Sequence, residues 1–295
     1  MPLNQNRLLK PVKKLNKLVN KIKGEPTPDE VHDLRTNTRR LEAVLEALSL
    51  DARDAGKSMV KNLSRFRKRA GKVRDMDVLT SYASTVHAKG EDECAVRLLE
   101  YLGARRQKLA KKLSAAVKQH RKTVRADLKR TPGHLTKTIR QNGNGRRGNI
   151  AVPTATAAAV NLAVQLAQPG HLGRDTLHPY RLKVKELRNV LQLAAGDSRD
   201  RFIEDLKQVK DAIGEWHDWE ELVAIAPKAL DHGNRCSLVA ELKTIAQDKY
   251  NHALDLTEQL RKQYLRKPAP SGKRGSRAQP GVPRQAVWDA IVRLA

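Results

Sequence analysis

Val31–Leu50, VHDLRTNTRRLEAVLEALSL, is the stretch whose reading decides the fold. Val31, Leu34, Thr38, Leu41, Leu45 and Leu48 recur at alternating steps of three and four, the stripe of an amphipathic helix that buries one side. At about 100° per residue, His32, Arg35 and Arg39 fall together on a face nearly opposite that stripe. Residues 178–192, HPYRLKVKELRNVLQ, carry the same design. His178 stands for His32, Arg181 for Arg35, Lys185 for Arg39, and Leu187 and Leu191 for Leu41 and Leu45. One such helix reads as a solvated basic face. Two with histidine and cations in register, in otherwise divergent surroundings, read as a duplicated half with an anion-binding face. A histidine one and two turns from like charges resists protonation, an arrangement that gains nothing unless an anion sits there.

Working outward, the 295 residues contain only 3% aromatics, so Leu, Val, Ile and Ala must build the core, as in helical bundles. Strand-like alternation bounded by turn signals is absent, which makes the expected fold class all-α. No stretch nears the 18 uninterrupted apolar residues of a membrane span, and MPLNQNRLLK lacks a signal peptide's apolar core, so the expected location is the cytoplasm. Cys94 and Cys236 can in principle pair, but two buried thiols suit a reducing compartment better. The net charge of +26 exceeds what solubility needs and points to a polyanionic partner. The charge is uneven: residues 1–150 hold 36 Lys and Arg against 15 Asp and Glu, whereas residues 151–265 hold 15 against 16. The anion surface therefore belongs mostly to the first half.

Ahead of the central helix, residues 3–22 form a first helix, with Leu8, Val12, Leu15, Leu18, Val19 and Ile22 inward. Lys10, Lys13, Lys14, Lys17 and Lys21 cover its outside, and Pro11 kinks it or marks its start. Thr27 or Asp29 is placed to cap the central helix. A third helix spans 56–70. On it Lys61, Arg65, Lys68 and Lys72, with Arg69 beside them, make a cationic strip without the acids that ordinary helix faces use for i,i+4 pairing. Its counterpart at 200–213 mixes signs. Then AGKVRDMDVL (70–79) matches IGEWHDWEEL (213–222), with Gly71 aligned to Gly214 and Asp75 to Asp218. The acids are placed near the start of a further helix, where they cap it or favour its dipole. A fourth helix covers 92–130, with its counterpart near 235–266. Residues 131–152, rich in Gly and Asn, read as a linker, and the second half occupies 153–266. Residues 267–295 read as a basic, largely disordered tail ending in a possible short helix, QAVWDAIVRLA.

Paired HxxRxxxRR-like helices in two four-helix halves, each followed by a G-x2-(R/H)-D segment, resemble the CHAD (conserved histidine α-helical domain) family over residues 1–266. The resemblance implies two helical bundles related by pseudo-twofold symmetry, with a basic groove between them. It implies binding of inorganic polyphosphate and, for several members, association with polyphosphate granules. The family's basic positions map to His32, Arg35, Arg39 and Arg40, and to His178, Arg181, Lys185 and Arg188. The halves are not equivalent: Glu186 stands where the first copy has Arg40, and Glu42 where the second has Arg188.

The expectation is thus a non-enzymatic polyphosphate-binding protein using those eight residues together with Lys61, Arg65, Arg69 and Lys72, with no metal or cofactor. Sequence-independent nucleic-acid binding is the alternative. Scarce aromatics disfavour base stacking, whereas duplex backbone binding needs charge alone. His217 with Glu220 and Glu221 has ligand-type side chains, but Arg74 stands at the equivalent place in the first copy, and a di-metal bundle needs matched carboxylates from facing helices.

Overall fold

The computed structural model describes residues 5–47, 54–86, 92–143, 151–195, 201–231 and 233–265, and everything regular among them is helical. Leu8 and Leu48 of the stripes have side chains outside the described set, as does the whole of the 267–295 tail with its terminal segment. The chain divides into two compact units, Met1–Gly145 with Ala229–Asp231, and Arg146–Lys228 with His232–Ala295.

In the first unit, α1 (Gln5–Lys21), α2 (Pro28–Ala47), α3 (Asp54–Ala83) and α4 (Asp92–Gly143) pack around the four sides of a square. α2 lies between α1 and α3, and α4 closes the square by packing on α3 and α1. The stripe read on the central helix is the core. Val31, Leu34, Leu41 and Leu45 are buried together with Val12, Leu15 and Val19 of α1, Leu63 and Phe66 of α3, and Leu113 and Val117 of α4. α2 begins at a capping box. The Thr27 hydroxyl accepts from the Glu30 backbone N–H (3.3 Å), the Glu30 carboxylate accepts from the Thr27 N–H (3.0 Å), and Pro28 takes the first helical position, where its missing N–H costs nothing. That capping interaction, with Lys21 3.0 Å away, holds the Glu30 carboxyl below its ordinary range against the opposing effect of burial.

One alternative about the first unit is decided and two expectations change. Pro11 lies inside α1 and does not start it. The third helix does not end at Ala70. α3 runs unbroken through Gly71 to Ala83, so Asp75 lies mid-helix and caps nothing. α4 does not stop at residue 130. It continues past Pro132 to Gly143, so residues 131–143 are helix and not linker. Packing explains the last point: Leu128 and Leu135, either side of Pro132, both sit in the first unit's core, and the Thr131 hydroxyl donates to the Asp127 carbonyl at 2.7 Å. Glycine and proline content near the end of that segment was a true signal of weak local propensity, overridden by burial.

The second unit contains α5 (Ala151–Ala167), α6 (Arg174–Ala195), α7 (Arg201–Ala229) and α8 (Ser237–Leu260), with a 3-10 turn at Gly233–Arg235 and a π-helical turn at Arg261–Leu265. Leu177, Val184, Leu187 and Leu191 of α6 pack with Leu162 and Leu166 of α5 and Leu206, Ile213 and Trp216 of α7. α7 likewise runs through Gly214, so Asp218 is also mid-helix, not at a helix start. The π turn is anchored by Tyr264, whose hydroxyl donates to Asp205 (2.8 Å) and whose ring meets Phe202 at 4.6 Å. Cys94 and Cys236 are both buried. No helix among the described residues is long and apolar enough to cross a membrane.

Candidate functional site

The two histidine helices present their cations as the periodicity requires, and each lays one of them on the next helix. In the second unit Arg181 crosses Gly214 of α7. A Cβ on that glycine would come within 2.6 Å of Arg181 Nη2 and 3.0 Å of its Nε. The Nε–H donates to the Lys210 carbonyl at 3.0 Å. Lys210 is four residues before Gly214 on a continuous helix, and an oxygen at that position is reachable from the side because no Cβ screens it. In the first unit Arg35 lies over Gly71 more loosely, with its Nε 3.9 Å from where a Cβ would stand. The aligned glycines are therefore helix-surface notches for the motif arginines and not turns. A mid-helix glycine costs roughly 1 kcal/mol relative to alanine, which a charged hydrogen bond offsets.

The histidines differ. His32 is exposed, with Nε2 3.5 Å from the Thr36 hydroxyl one turn on. His178 is half-buried, its ring tilted 35° against that of His217 of α7 with centroids 4.5 Å apart, and its Nδ1 is enclosed with no hydrogen-bond partner among the described residues. Burial first, then His217, then Arg181, push its pKa below the ordinary value. Like charge does discourage protonation there, but desolvation outranks it. His217 is thus a ring-contact partner of the motif histidine. Its neighbour Glu220 pairs with Arg174 and accepts from Trp216 Nε1 (3.1 Å), and no cluster of three or more ligand-type side chains suited to a metal exists among the described residues.

Of the remaining motif cations, Arg39 and Arg40 are exposed on α2, and Lys185 and Arg188 are half-buried on α6. The strip on α3 divides in two. Lys61, Lys68 and Lys72 are exposed, while Arg65 reaches Asn62 and His120 (both 3.4 Å) and Arg69 donates to the Lys112 carbonyl (3.1 Å), so both lean onto α4. Glu42, an acid within the basic helix, is satisfied internally by Arg67 at 2.6 Å.

Several other arginines serve the scaffold. Arg106 of α4 binds Asp77 (2.8 Å), Glu25 (3.5 Å) and the Pro26 carbonyl (2.9 Å), and Arg121 donates to the Ile22 carbonyl; together they pin the α1–α2 turn in front of the capping box. Arg261, fully buried, plays the same part in the second unit. It pairs with Glu258 (2.6 Å) and donates to the Pro169 carbonyl in the turn before α6. Nothing in the sequence separates these arginines from anion-binding ones, since each has among its acceptors a backbone carbonyl distant in the chain.

The family model for the CHAD domain matches residues 7–226, which runs from near the start of α1 through α2 to α6 and most of α7. No curated protein and no solved structure matches the chain.

Proposed function

Because the chain belongs to the CHAD domain family, which is associated with polyphosphate binding, we propose that it binds inorganic polyphosphate, without turning it over, on the basic faces of α2–α3 and α6–α7. The observation that carries this reading is the notch. In both units the arginine three residues after the motif histidine lies over a glycine of the following helix, and in the second unit the Lys210 carbonyl holds the Arg181 guanidinium there before any ligand arrives. Pre-positioned cations lose less entropy on binding than free ones. Polyphosphate has no bases to read, so recognition must come from charge and donors. Arg supplies forked N–H pairs, Lys a mobile charge, and His a donor once protonated. In the first unit the set is His32, Arg35, Arg39 and Arg40 with Lys61, Lys68 and Lys72 of α3, while Arg65 and Arg69 contribute the donors their α4 contacts leave over. In the second it is His178, Arg181, Lys185 and Arg188. The parallel between the units supports descent from one duplicated four-helix ancestor. Association with polyphosphate granules in the cytoplasm follows from the same binding.

The test is a titration of the full chain with polyphosphates of graded length, with free phosphate assayed in the presence of divalent metals. Affinity that falls steeply with salt and no phosphate release support the reading. Binding no tighter than that of inorganic phosphate, or sustained phosphate release, refutes it.

A further inference from the structure

The first unit carries a second cationic face that the motif helices do not explain. α1 and α4 share the side of the square opposite α2 and α3. On α1, Lys10, Lys13, Lys14, Lys17 and Lys21 are all exposed on the side away from buried Val12, Leu15 and Val19. On α4, Lys111, Lys118, Lys122 and Lys129, at spacings of seven, four and seven, form an exposed row. That row flanks Ser114 and Arg121, whose side chains donate to the Gly24 and Ile22 carbonyls and so mark the α1 side of the helix. His120 and the Lys112 carbonyl face α3 instead.

An ordinary solvated face interleaves acids with its lysines. Residues 1–24 contain no acid, and the sole acid from 101 to 150 is Asp127, half-buried. Among the described residues, Lys21 alone in these two rows is paired with a carboxylate, Glu30. Like charges at i,i+4, as in Lys10/Lys14, Lys13/Lys17 and Lys118/Lys122, each destabilise a helix by about 0.2–0.5 kcal/mol. The arrangement thus works against the fold unless an anion covers it. Nor does it belong to the motif that recurs in both units: α5 has no charged residue at all, and α8 mixes signs.

We infer that this α1–α4 face is a docking surface for the backbone of duplex nucleic acid, separate from the polyphosphate face. Three features select that partner. The cations are lysines, point charges that suit phosphodiesters without demanding a fixed fork. The rows have no aromatic side chain between them for stacking bases, which removes the means of holding single strands. The rows also number two, on packed helices whose axes are typically about 8–10 Å apart, and run about 16 Å on α1 and about 27 Å on α4. A single linear polyanion needs one row, whereas two strands across a groove about 6–12 Å wide use both. A chain with both faces would tether polyphosphate to nucleic acid.

The experiment compares the full chain with the quadruple variant Lys13→Gln, Lys17→Gln, Lys118→Gln, Lys122→Gln and with the same four positions changed to Arg. The probes are a labelled 24-base-pair duplex of arbitrary sequence and long-chain polyphosphate, each titrated across a salt series. The wild-type chain should bind the duplex. The Gln variant should lose about 3.6 from the magnitude of the log affinity–log salt slope, about 0.9 per phosphate contact removed, and keep its polyphosphate affinity. The Arg variant should bind the duplex as the wild type does. Replacing Arg181 and Lys185 by Gln should do the reverse, sparing the duplex and weakening polyphosphate. Failure of wild-type duplex binding, an unchanged slope in the Gln variant, or parallel loss of both ligands overturns the inference.

Discussion

Substituting the two aligned glycines by alanine should have opposite effects, and the difference can be worked from the geometry. At Gly71 a new methyl meets nothing closer than Arg35 Nε at 3.9 Å, an ordinary contact. Gly71→Ala should therefore realise the propensity gain of a mid-helix alanine, about 0.8–1 kcal/mol. At Gly214 the methyl would stand 2.6 Å from Arg181 Nη2. A guanidinium is the far end of a flexible chain, so it moves away and no backbone clash results. What is lost is the bond from Arg181 Nε to the Lys210 carbonyl. Hydrogen bonds from charged groups contribute about 1.5–3 kcal/mol, so after the same propensity gain Gly214→Ala should be net destabilising by about 0.5–2 kcal/mol. For a chain of this size 1 kcal/mol moves Tm by about 2–4 °C, so the two variants should melt on opposite sides of wild type. Thermal unfolding by circular dichroism reads that sign, and polyphosphate titration reads the second consequence: Gly214→Ala should weaken binding because Arg181 is no longer held. Equal Tm shifts in one direction, or a Gly214→Ala protein that binds polyphosphate as wild type does, would refute the notch argument.

Three further outcomes are expected. Replacing Lys61, Lys68 and Lys72 by Gln should weaken polyphosphate binding more than replacing Arg181, Lys185 and Arg188, because the first 150 residues hold the excess charge; calorimetric titration giving equal losses would show that local geometry outweighs the summed field. His178 has its pKa depressed in the folded chain by burial, His217 and Arg181. Its contribution to stability is complete above the unfolded histidine value and is lost as pH falls toward the folded one, whereas bound phosphate should draw a proton onto the ring; an NMR titration in which polyphosphate leaves the His178 pKa unmoved would contradict its place in the site. Arg106→Gln leaves Asp77 enclosed without its cation and should destabilise the first unit by about 3 kcal/mol in chemical denaturation while sparing polyphosphate affinity in the folded protein, the opposite profile to a binding residue.

Periodicity was the most legible layer. The spacing of Val31, Leu34, Leu41 and Leu45 identifies a core stripe, and every one of these residues is buried. Of the two residues placed to cap the central helix, Thr27 does so, and Glu30 three residues on completes a capping box. The histidine and arginine positions of α2 and α6 were legible for the same reason, since which face a residue occupies depends only on its neighbours along the chain. The alignment of Gly71 with Gly214 was visible too, but its meaning was not. Read locally, the acids that follow each glycine mark the start of a new helix.

Tertiary structure settled what local pattern left ambiguous. Gly71 and Gly214 stay helical because α3 and α7 are held by burial on both sides of them, from Phe66 to Val73 and from Ile213 to Trp216. Likewise Leu135 keeps α4 helical beyond Pro132. The division of labour among the arginines was decided at the same level. Arg121 and Arg261 reach carbonyls 99 and 92 residues away, and Arg181 one that lies 29 away on another helix. By composition alone all three belong to one basic surface. The amino-acid order dictates which side of a helix a cation occupies, because helical twist is a local property. Whether that cation faces solvent or a backbone oxygen depends on which helix is packed beside it, and that exists only once the chain has folded.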